Sequence, residues 1–162
     1  MIEIDYFLND QVPHSWNAFA EVVWKDKKTA RFIGDIPHTW VGSDFLNAIR
    51  SMFVYENESD ESLVLASALY QDWIDSPNGM SIENLPTYYG EISYSIKKVD
   101  SKYTFSIYGD VDLPSNGIKI KNFNHSILPI DVTVNGKKIK SFTKNEIDIK
   151  EFPATVEINY GN

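Results

Sequence analysis

The sequence predicts a mainly β protein, an antiparallel β-sandwich preceded by a short helical N-terminal segment. Beyond Tyr55 the chain consists of short runs in which apolar and polar residues alternate, separated by turn residues. That pattern is typical of half-buried strands in a sandwich. Before Tyr55, apolar residues recur at intervals of three and four, which is the spacing of one helical face. We therefore expect a helical segment over residues 1–55 and a β-sandwich domain over residues 56–162.

The longest predicted helix follows Pro37. Five apolar residues share one face of this helix: Phe45, Leu46, Ile49, Met52 and Phe53. Either Ser43 or Thr39 can cap its N-terminus, because a hydroxyl oxygen accepts a hydrogen bond from a free backbone N–H. Asp44 would then lie in the first turn, where the helix dipole favours a negative charge. We expect the helix to end near Tyr55, before a polar turn.

Two shorter helices are expected before this one. Residues 1–12 carry apolar side chains at helical spacing, namely Ile4, Phe7 and Leu8, and Pro13 ends the segment. Ser15 can cap a second short helix, whose apolar stripe consists of Trp16, Phe19, Ala20 and Val23. Residues 22–24 also fit the start of a strand, so the end of this helix stays open.

Apolar runs and turn residues predict the strands of the β-domain. Runs of strand length lie at residues 62–66, 80–85, 90–98, 102–109, 117–122, 130–134, 146–149 and 154–160. The inward residues of the hairpin formed by 90–98 and 102–109 are Ile92, Tyr94, Ile96, Tyr103, Phe105 and Ile107. Asn135 and Gly136 form the strongest short hairpin signal. A helical turn is expected around Trp73, and since no crossover helix follows Ile74, we expect antiparallel sheets.

The composition excludes several classes of function. The net charge of −8 and the pI of about 4.8 argue against nucleic acid and against an anionic membrane surface as partners. Because the chain has no cysteine, it has no disulfide and no thiolate metal site. No apolar run approaches the roughly 20 residues of a membrane span. The acidic start lacks the basic region of a signal peptide, so the cytoplasm is the default expectation, and no cofactor is expected.

Several motifs together resemble a known family. They are HSWNAFAEVVW (residues 14–24), GDIPHTWVGSDF (34–45), GMSIENLPTYYGEISYSI (79–96) and DVTVNGKKI (131–139). These motifs resemble the C-terminal region of bacterial glycoside-hydrolase-like proteins, in which an α/α toroid of helical hairpins precedes a β-sandwich. Glucoamylases, maltose phosphorylases and α-L-rhamnosidases share this general architecture.

The resemblance implies an accessory role for the chain. Residues 1–55 would be the end of a toroid-like domain, and residues 56–162 its β-sandwich accessory domain. Such a toroid needs many more helices than this chain offers, so the resemblance implies a C-terminal fragment or a short relative without a complete catalytic cleft. The implied partners are a carbohydrate, an upstream helical toroid domain, or a second copy that pairs through the N-terminal helices.

Six residues form the predicted carbohydrate-binding site: Trp16, Glu21, Trp24, Asp35, His38 and Trp40. Sugars are bound by flat aromatic rings that stack on C–H faces, while carboxylates and other polar groups bond to the hydroxyls. In a whole toroid these residues could line the cleft. The alternative is that Trp16 and Trp40 anchor the core between helices and that the polar groups are caps.

Two chemical roles are considered for the acidic residues and histidines. Glu21 with Asp35 or Asp44 could supply the two carboxylates of glycoside hydrolysis, with Glu21 the better candidate because it lies among apolar residues. An acidic chain offers such pairs by chance, so no catalytic residue is assigned. A metal site of His14, His38 and Asp35 fits no tight spacing motif, so no metal ligand is assigned.

The sequence leaves three functions open. The first is a non-catalytic accessory domain of a carbohydrate-active protein that stabilises or completes a sugar-binding cleft. The second is a stand-alone carbohydrate-binding or protein-interaction sandwich, which needs exposed tyrosines on one sheet face, drawn from Tyr88, Tyr89, Tyr94, Tyr103 and Tyr108. The third is a small complete glycosidase, ranked last because the chain lacks most of a cleft.

Overall fold

A computed structural model describes residues 2–9, 11, 14–22, 34–122 and 127–161. The fold is mainly β and sandwich-like, with two mostly antiparallel sheets and a few helices, so the predicted fold class is confirmed. By its internal contacts the chain divides into two compact units, Met1–Arg50 and Ser51–Asn162. Among the described residues, no helix has both the length and the apolar character needed to cross a membrane.

Helix α1 (Ile2–Asn9) and a 3-10 turn (His14–Trp16) open the first unit. The first helix was predicted, but the predicted second helix from Ser15 is wrong, because residues 17–22 have no helical structure. Asn17 ends the 3-10 turn with a left-handed φ of 49°. The segment after it bonds to residues near Asp35 instead of to its own preceding turn. Residue 23, the last of the predicted stripe, lies outside the described part of the chain.

Helix α2 (Thr39–Phe53) begins earlier than a cap at Ser43 would allow. The backbone N–H of Gly42 donates to the carbonyl of His38 at 3.2 Å, which closes the first turn, so Asp44 lies beyond that turn. The helix ends at Phe53, before Tyr55, because the next residues form a strand. One predicted core position is wrong: Leu46 is 68% exposed.

Three phenylalanine rings pack together in the first unit. The ring centroids of Phe19 and Phe45 are 5.0 Å apart, and Phe7 lies 6.1 Å from Phe45 and 6.4 Å from Phe19. Several large apolar side chains of this unit nevertheless stay exposed: Phe7, Leu8, Trp16, Val22, Trp40 and Leu46. Edge and tilted aromatic contacts therefore hold together a unit whose described residues bury little apolar surface.

Among the described residues, the second unit contains the last three residues of α2, ten strands and one further short helix. In chain order the strands and the short helix are β1 (Val54–Asn57), β2 (Ser62–Leu65), α3 (Gln71–Ile74), β3 (Met80–Thr87), β4 (Gly90–Val99), β5 (Lys102–Val111), β6 (Ile118–Lys121), β7 (Asp131–Val134), β8 (Lys137–Lys138), β9 (Glu146–Ile149) and β10 (Ala154–Asn159). One sheet has the order β1-β2-β6-β9, and the other has the order β3-β4-β5-β10-β7-β8.

Alternation along the strands builds the core of this second unit. The predicted inward residues of β4 and β5 are all buried: Ile92, Tyr94, Ile96, Tyr103, Phe105 and Ile107. Successive strand residues point to opposite faces, so pairing Tyr94 with Ile107 brings two inward side chains together. The predicted hairpin at Asn135 and Gly136 joins β7 to β8, and α3 supplies the predicted turn around Trp73.

Two features of the first sheet depart from the prediction. Strand β1 occupies residues expected to be the helix end and a polar turn, and its Val54 pairs with Leu65 of β2. Strands β2 and β6 pair in parallel, with Leu63 opposite Ile118. A parallel pair needs a long connection but not a helical one, and here the hairpins of the other sheet supply it.

Candidate functional site

Two segments of the first unit lie side by side and position the candidate site. The backbone N–H of His38 donates to the carbonyl of Phe19 at 2.7 Å, and the N–H of Glu21 donates to the carbonyl of Asp35 at 3.1 Å. These two hydrogen bonds join residues 19–21 to residues 35–38 across a long sequence separation. The polar side chains of both segments are therefore brought together by the backbone.

Glu21, Asp35 and His38 form a cluster that we call the acidic-histidine triad. One carboxylate oxygen from each acid and one imidazole nitrogen all lie within 4.8 Å of one another. The two carboxylates are exposed and the histidine is half-buried. The backbone N–H of Asp35 also donates to Oε2 of Glu21 at 3.4 Å. Gly34 has a φ of +64° and lies so close to the Glu21 carboxylate that a Cβ would collide with it.

An open cleft of about 920 Å³ lies beside the triad. It is lined by Trp16, Asn17, Ala18, Phe19, Pro37, His38, Thr39, Gly42, Ser43, Phe45 and Leu46. His38 belongs to both the cleft and the triad, so the two features are continuous. The Trp16 side chain is 62% exposed, which leaves its ring available to a ligand in the cleft.

The structure brings four of the six predicted carbohydrate-binding residues to this region. Trp16 and His38 line the cleft, and Glu21 and Asp35 complete the triad. Trp40 is 72% exposed and does not line the cleft. The prediction for Trp24 concerns a residue outside those that the structure describes. The exposure of Trp16 and Trp40 also excludes the alternative in which both rings anchor a core.

Most of the cleft wall was not predicted as part of a site. Thr39 and Ser43 are predicted as alternative cap residues and Phe45 and Leu46 as core positions of a helix, while Asn17 carries no prediction of its own. The signal available in the sequence was the four-residue spacing of Thr39 and Ser43, which places their hydroxyls on one side of α2. Both residues lie in helix α2 and line the cleft.

The geometry bears on two hypotheses from the sequence, the carboxylate pair of Glu21 with Asp35 or Asp44 and the metal site of His14, His38 and Asp35. The expected apolar surroundings of Glu21 are wrong, because its side chain is exposed. Although Glu21 and Asp35 come together, neither carboxylate lines the cleft. Asp35 and His38 come together, as a metal site of His14, His38 and Asp35 would require. The third residue beside them, however, is Glu21 and not His14. His14 instead lies in the 3-10 turn, with Nδ1 3.3 Å from the carbonyl of Gln11.

The tyrosines of the sandwich do not form a continuous platform. Tyr94 and Tyr103 are buried, whereas Tyr88 and Tyr108 are exposed, so a surface made of all five tyrosines is excluded. The hydroxyl of Tyr94 donates to the carbonyl of Phe53 at 3.0 Å, and burial raises the pKa of Tyr94. The inward tyrosines are therefore structural parts of the core.

Comparison with known proteins identified no relative of this chain. No family model, no curated protein and no solved structure matches the chain.

Proposed function

We propose that this chain is a non-catalytic accessory region of a carbohydrate-active, glycoside-hydrolase-like protein, and that the cleft in its first unit binds a saccharide. The observation that carries the proposal is the exposed Trp16 ring in the wall of the same cleft as His38. A tryptophan face covers the C–H surface of a pyranose ring. Histidine, hydroxyl and amide groups bond to its hydroxyls.

The cleft provides both kinds of group within a volume suited to a small ligand. Ligand sites commonly occupy about 300–1,000 Å³ and combine apolar walls with a few polar groups. Phe19, Phe45 and Leu46 supply apolar surface here, while Thr39 and Ser43 supply hydroxyls. A small saccharide suits such a site, because its apolar C–H faces match the aromatic and aliphatic lining and its hydroxyls match the polar groups.

Binding without hydrolysis is favoured by the position of the acidic residues. Glycoside hydrolysis needs two carboxylates that flank the scissile bond. Glu21 and Asp35 lie next to each other outside the cleft wall, so they do not flank a ligand bound beside Trp16. The proposed role of the cleft is therefore binding without catalysis. Because the residues that line the cleft belong to the first unit, recognition is assigned to the first unit and a structural role to the second.

A protein-interaction role is the second candidate, and the exposed apolar side chains of the first unit favour it. Leu8, Trp40 and Leu46 are between 44% and 72% exposed, and exposed apolar patches often mark contact surfaces. An upstream helical toroid or a second copy of this chain is the partner proposed. Light scattering of the purified chain at rising concentration tests self-association, and a monomer at every concentration contradicts the homodimer.

Titration calorimetry with a panel of α-glucan and rhamnoside oligosaccharides tests saccharide binding, with Trp16→Ala and Trp40→Ala as matched variants. Both tryptophans are exposed, but only Trp16 lines the cleft. We expect Trp16→Ala to weaken binding at least about tenfold, roughly 1.4 kcal/mol, and Trp40→Ala to change it little. Equal weakening by both variants, or no binding to any member of the panel, contradicts the proposal.

A further inference from the structure

We propose that Glu21, Asp35 and His38 bind one divalent transition-metal ion, for which Zn²⁺ is the best match. This inference does not rest on saccharide binding, because the ion would be held by the triad itself. It goes beyond the sequence prediction, in which spacing alone gave no metal ligand. Three properties of the triad support it: its donor geometry, its backbone support and its charge.

The donor atoms are close enough to share an ion. They lie within 4.8 Å of one another, whereas two ligands bound at about 2.1 Å in a tetrahedral zinc site are about 3.4 Å apart. Both carboxylates are exposed, so rotation about their side-chain torsions can close the difference without moving the backbone. The three side chains therefore need only a local adjustment to reach a common ion.

The backbone holds these donors together although they are far apart in the sequence. Two hydrogen bonds tie the segment of Glu21 to the segment of Asp35 and His38. Gly34 leaves room for the Glu21 carboxylate where any larger residue would displace it. Ligands positioned in this way lose less conformational freedom when an ion binds.

The charge of the triad favours a cation. Two carboxylates held this close repel each other when both are ionised. Among residues 2–9, 11, 14–22, 34–122 and 127–161, no lysine or arginine forms an ion pair with Glu21 or Asp35. A divalent ion bound to both acids and to the neutral imidazole of His38 balances the two negative charges.

The donor types select the class of ion. One imidazole nitrogen and two carboxylate oxygens match Zn²⁺ and its neighbours in the first transition row. Ca²⁺ and Mg²⁺ prefer sites made of oxygen donors alone. Three protein ligands leave at least one coordination position open, and because His38 also lines the cleft, the ion would lie at the edge of the cleft.

Titration with Co²⁺ alone, on the 162-residue chain prepared without a histidine tag, tests this site. Co²⁺ is a zinc substitute whose visible absorption reports its coordination, and displacement by Zn²⁺ then gives the zinc affinity. The test variants are Glu21→Gln, Asp35→Asn and His38→Ala. The matched controls are His14→Ala and Asp44→Asn, which remove a histidine and a carboxylate of the same unit from outside the triad. Circular dichroism of each variant verifies its fold.

We expect one Co²⁺ per chain, displaced by Zn²⁺, and a loss of affinity of at least about tenfold in each triad variant. The two control variants should retain the affinity of the unmodified chain. The proposal is overturned if the unmodified chain shows no saturable one-to-one binding, or if the controls lose as much affinity as the triad variants. Since no saccharide is present, this result is independent of the test for sugar binding.

Discussion

Most of the inward apolar side chains of the strands in the second unit are buried, whereas several large apolar side chains of the first unit are exposed. In the second unit Phe105 and Tyr94 are fully buried, and the surrounding isoleucines and valines of both sheets are buried with them. In the first unit Phe7 is 44% exposed and Trp40 is 72% exposed. The residue types are similar, so the difference lies in how each unit arranges them.

The second unit therefore has the larger buried core, and the first unit presents more exposed apolar side chains on its described residues than it buries. The inward side chains of the strands in both sheets of the second unit pack into one buried hydrophobic cluster. The first unit instead combines two helices, a 3-10 turn and loop segments, and its three phenylalanine rings meet in one edge contact and two tilted contacts. We therefore expect core substitutions in the second unit to have large effects, and substitutions in the first unit to alter binding more than folding.

The largest effect is expected from truncating a core ring. Phe105→Ala should lower the free energy of unfolding by about 3–5 kcal/mol, because it removes buried apolar surface and leaves a cavity. The matched variant Phe7→Ala, at an exposed ring, should cost about 1 kcal/mol or less. Urea unfolding followed by far-ultraviolet circular dichroism measures both. Equal destabilisation by the two variants would remove the contrast between the units.

A smaller effect is expected from a buried polar group of the second unit. Asn122 is fully buried, and its amide donates to the carbonyls of Ile127 at 3.2 Å and Lys144 at 2.8 Å. It also accepts a hydrogen bond from the hydroxyl of Tyr160. Asn122→Ala leaves these groups without that partner and should cost about 2–3 kcal/mol.

Asn78 is the matched control for this substitution, because it is an exposed asparagine of the same unit. Asn78→Ala should change the free energy of unfolding by less than about 0.5 kcal/mol. The same urea titration serves for both variants. If Asn122→Ala proved as mild as its control, the hydrogen bonds around Asn122 would not contribute to the core.

The smallest effect concerns an ion pair on the first sheet. The hydrogen bond from Lys121 at 2.9 Å holds the pKa of Glu146 below its ordinary value of 4.5, although partial burial acts in the opposite direction. The pKa is lower in the folded chain than in the unfolded one. The pair therefore stabilises the fold fully above pH 4.5, and this contribution is lost as the pH falls through the folded-state pKa.

Glu146→Gln should therefore reduce stability at pH 7 by less than about 1 kcal/mol, and the difference should shrink as the pH falls below 4.5. Glu83→Gln, at an exposed position of β3, provides the comparison. Thermal unfolding between pH 3 and pH 7 measures both variants. A Glu146→Gln difference that stays constant over this range would show that the carboxylate charge makes no contribution there.

Sequence reasoning succeeded where local pattern and tertiary structure coincide. The alternation in β4 and β5 placed Ile92 and Phe105 in the core, and Asn135 with Gly136 located a hairpin. It failed where long-range pairing overrode local preference. Val54 joined β1 because β2 offered a partner, and the stripe around Phe19 gave no helix because its backbone bonds to His38.

The candidate site was predictable in its residue types but not in its arrangement. Aromatic and polar residues in the first forty positions indicated Trp16, Glu21, Asp35 and His38. That Glu21 joins Asp35 and His38, rather than His14, depends on backbone pairing between separated segments. Such pairing between distant segments cannot be predicted from the spacing of residues in the sequence. The position of Trp40 outside the cleft wall could not be predicted from that spacing either.

The central claim is that ligand recognition belongs to the first unit and structural support to the second. Nuclear magnetic resonance of the tryptophan indole N–H groups during titration with an oligosaccharide that binds tests it most directly. We predict that the Trp16 signal shifts with saturation, whereas the signal of Trp73, which stacks on Phe53 in the second unit, stays in place. A shift at Trp73 with none at Trp16 would contradict this division of roles.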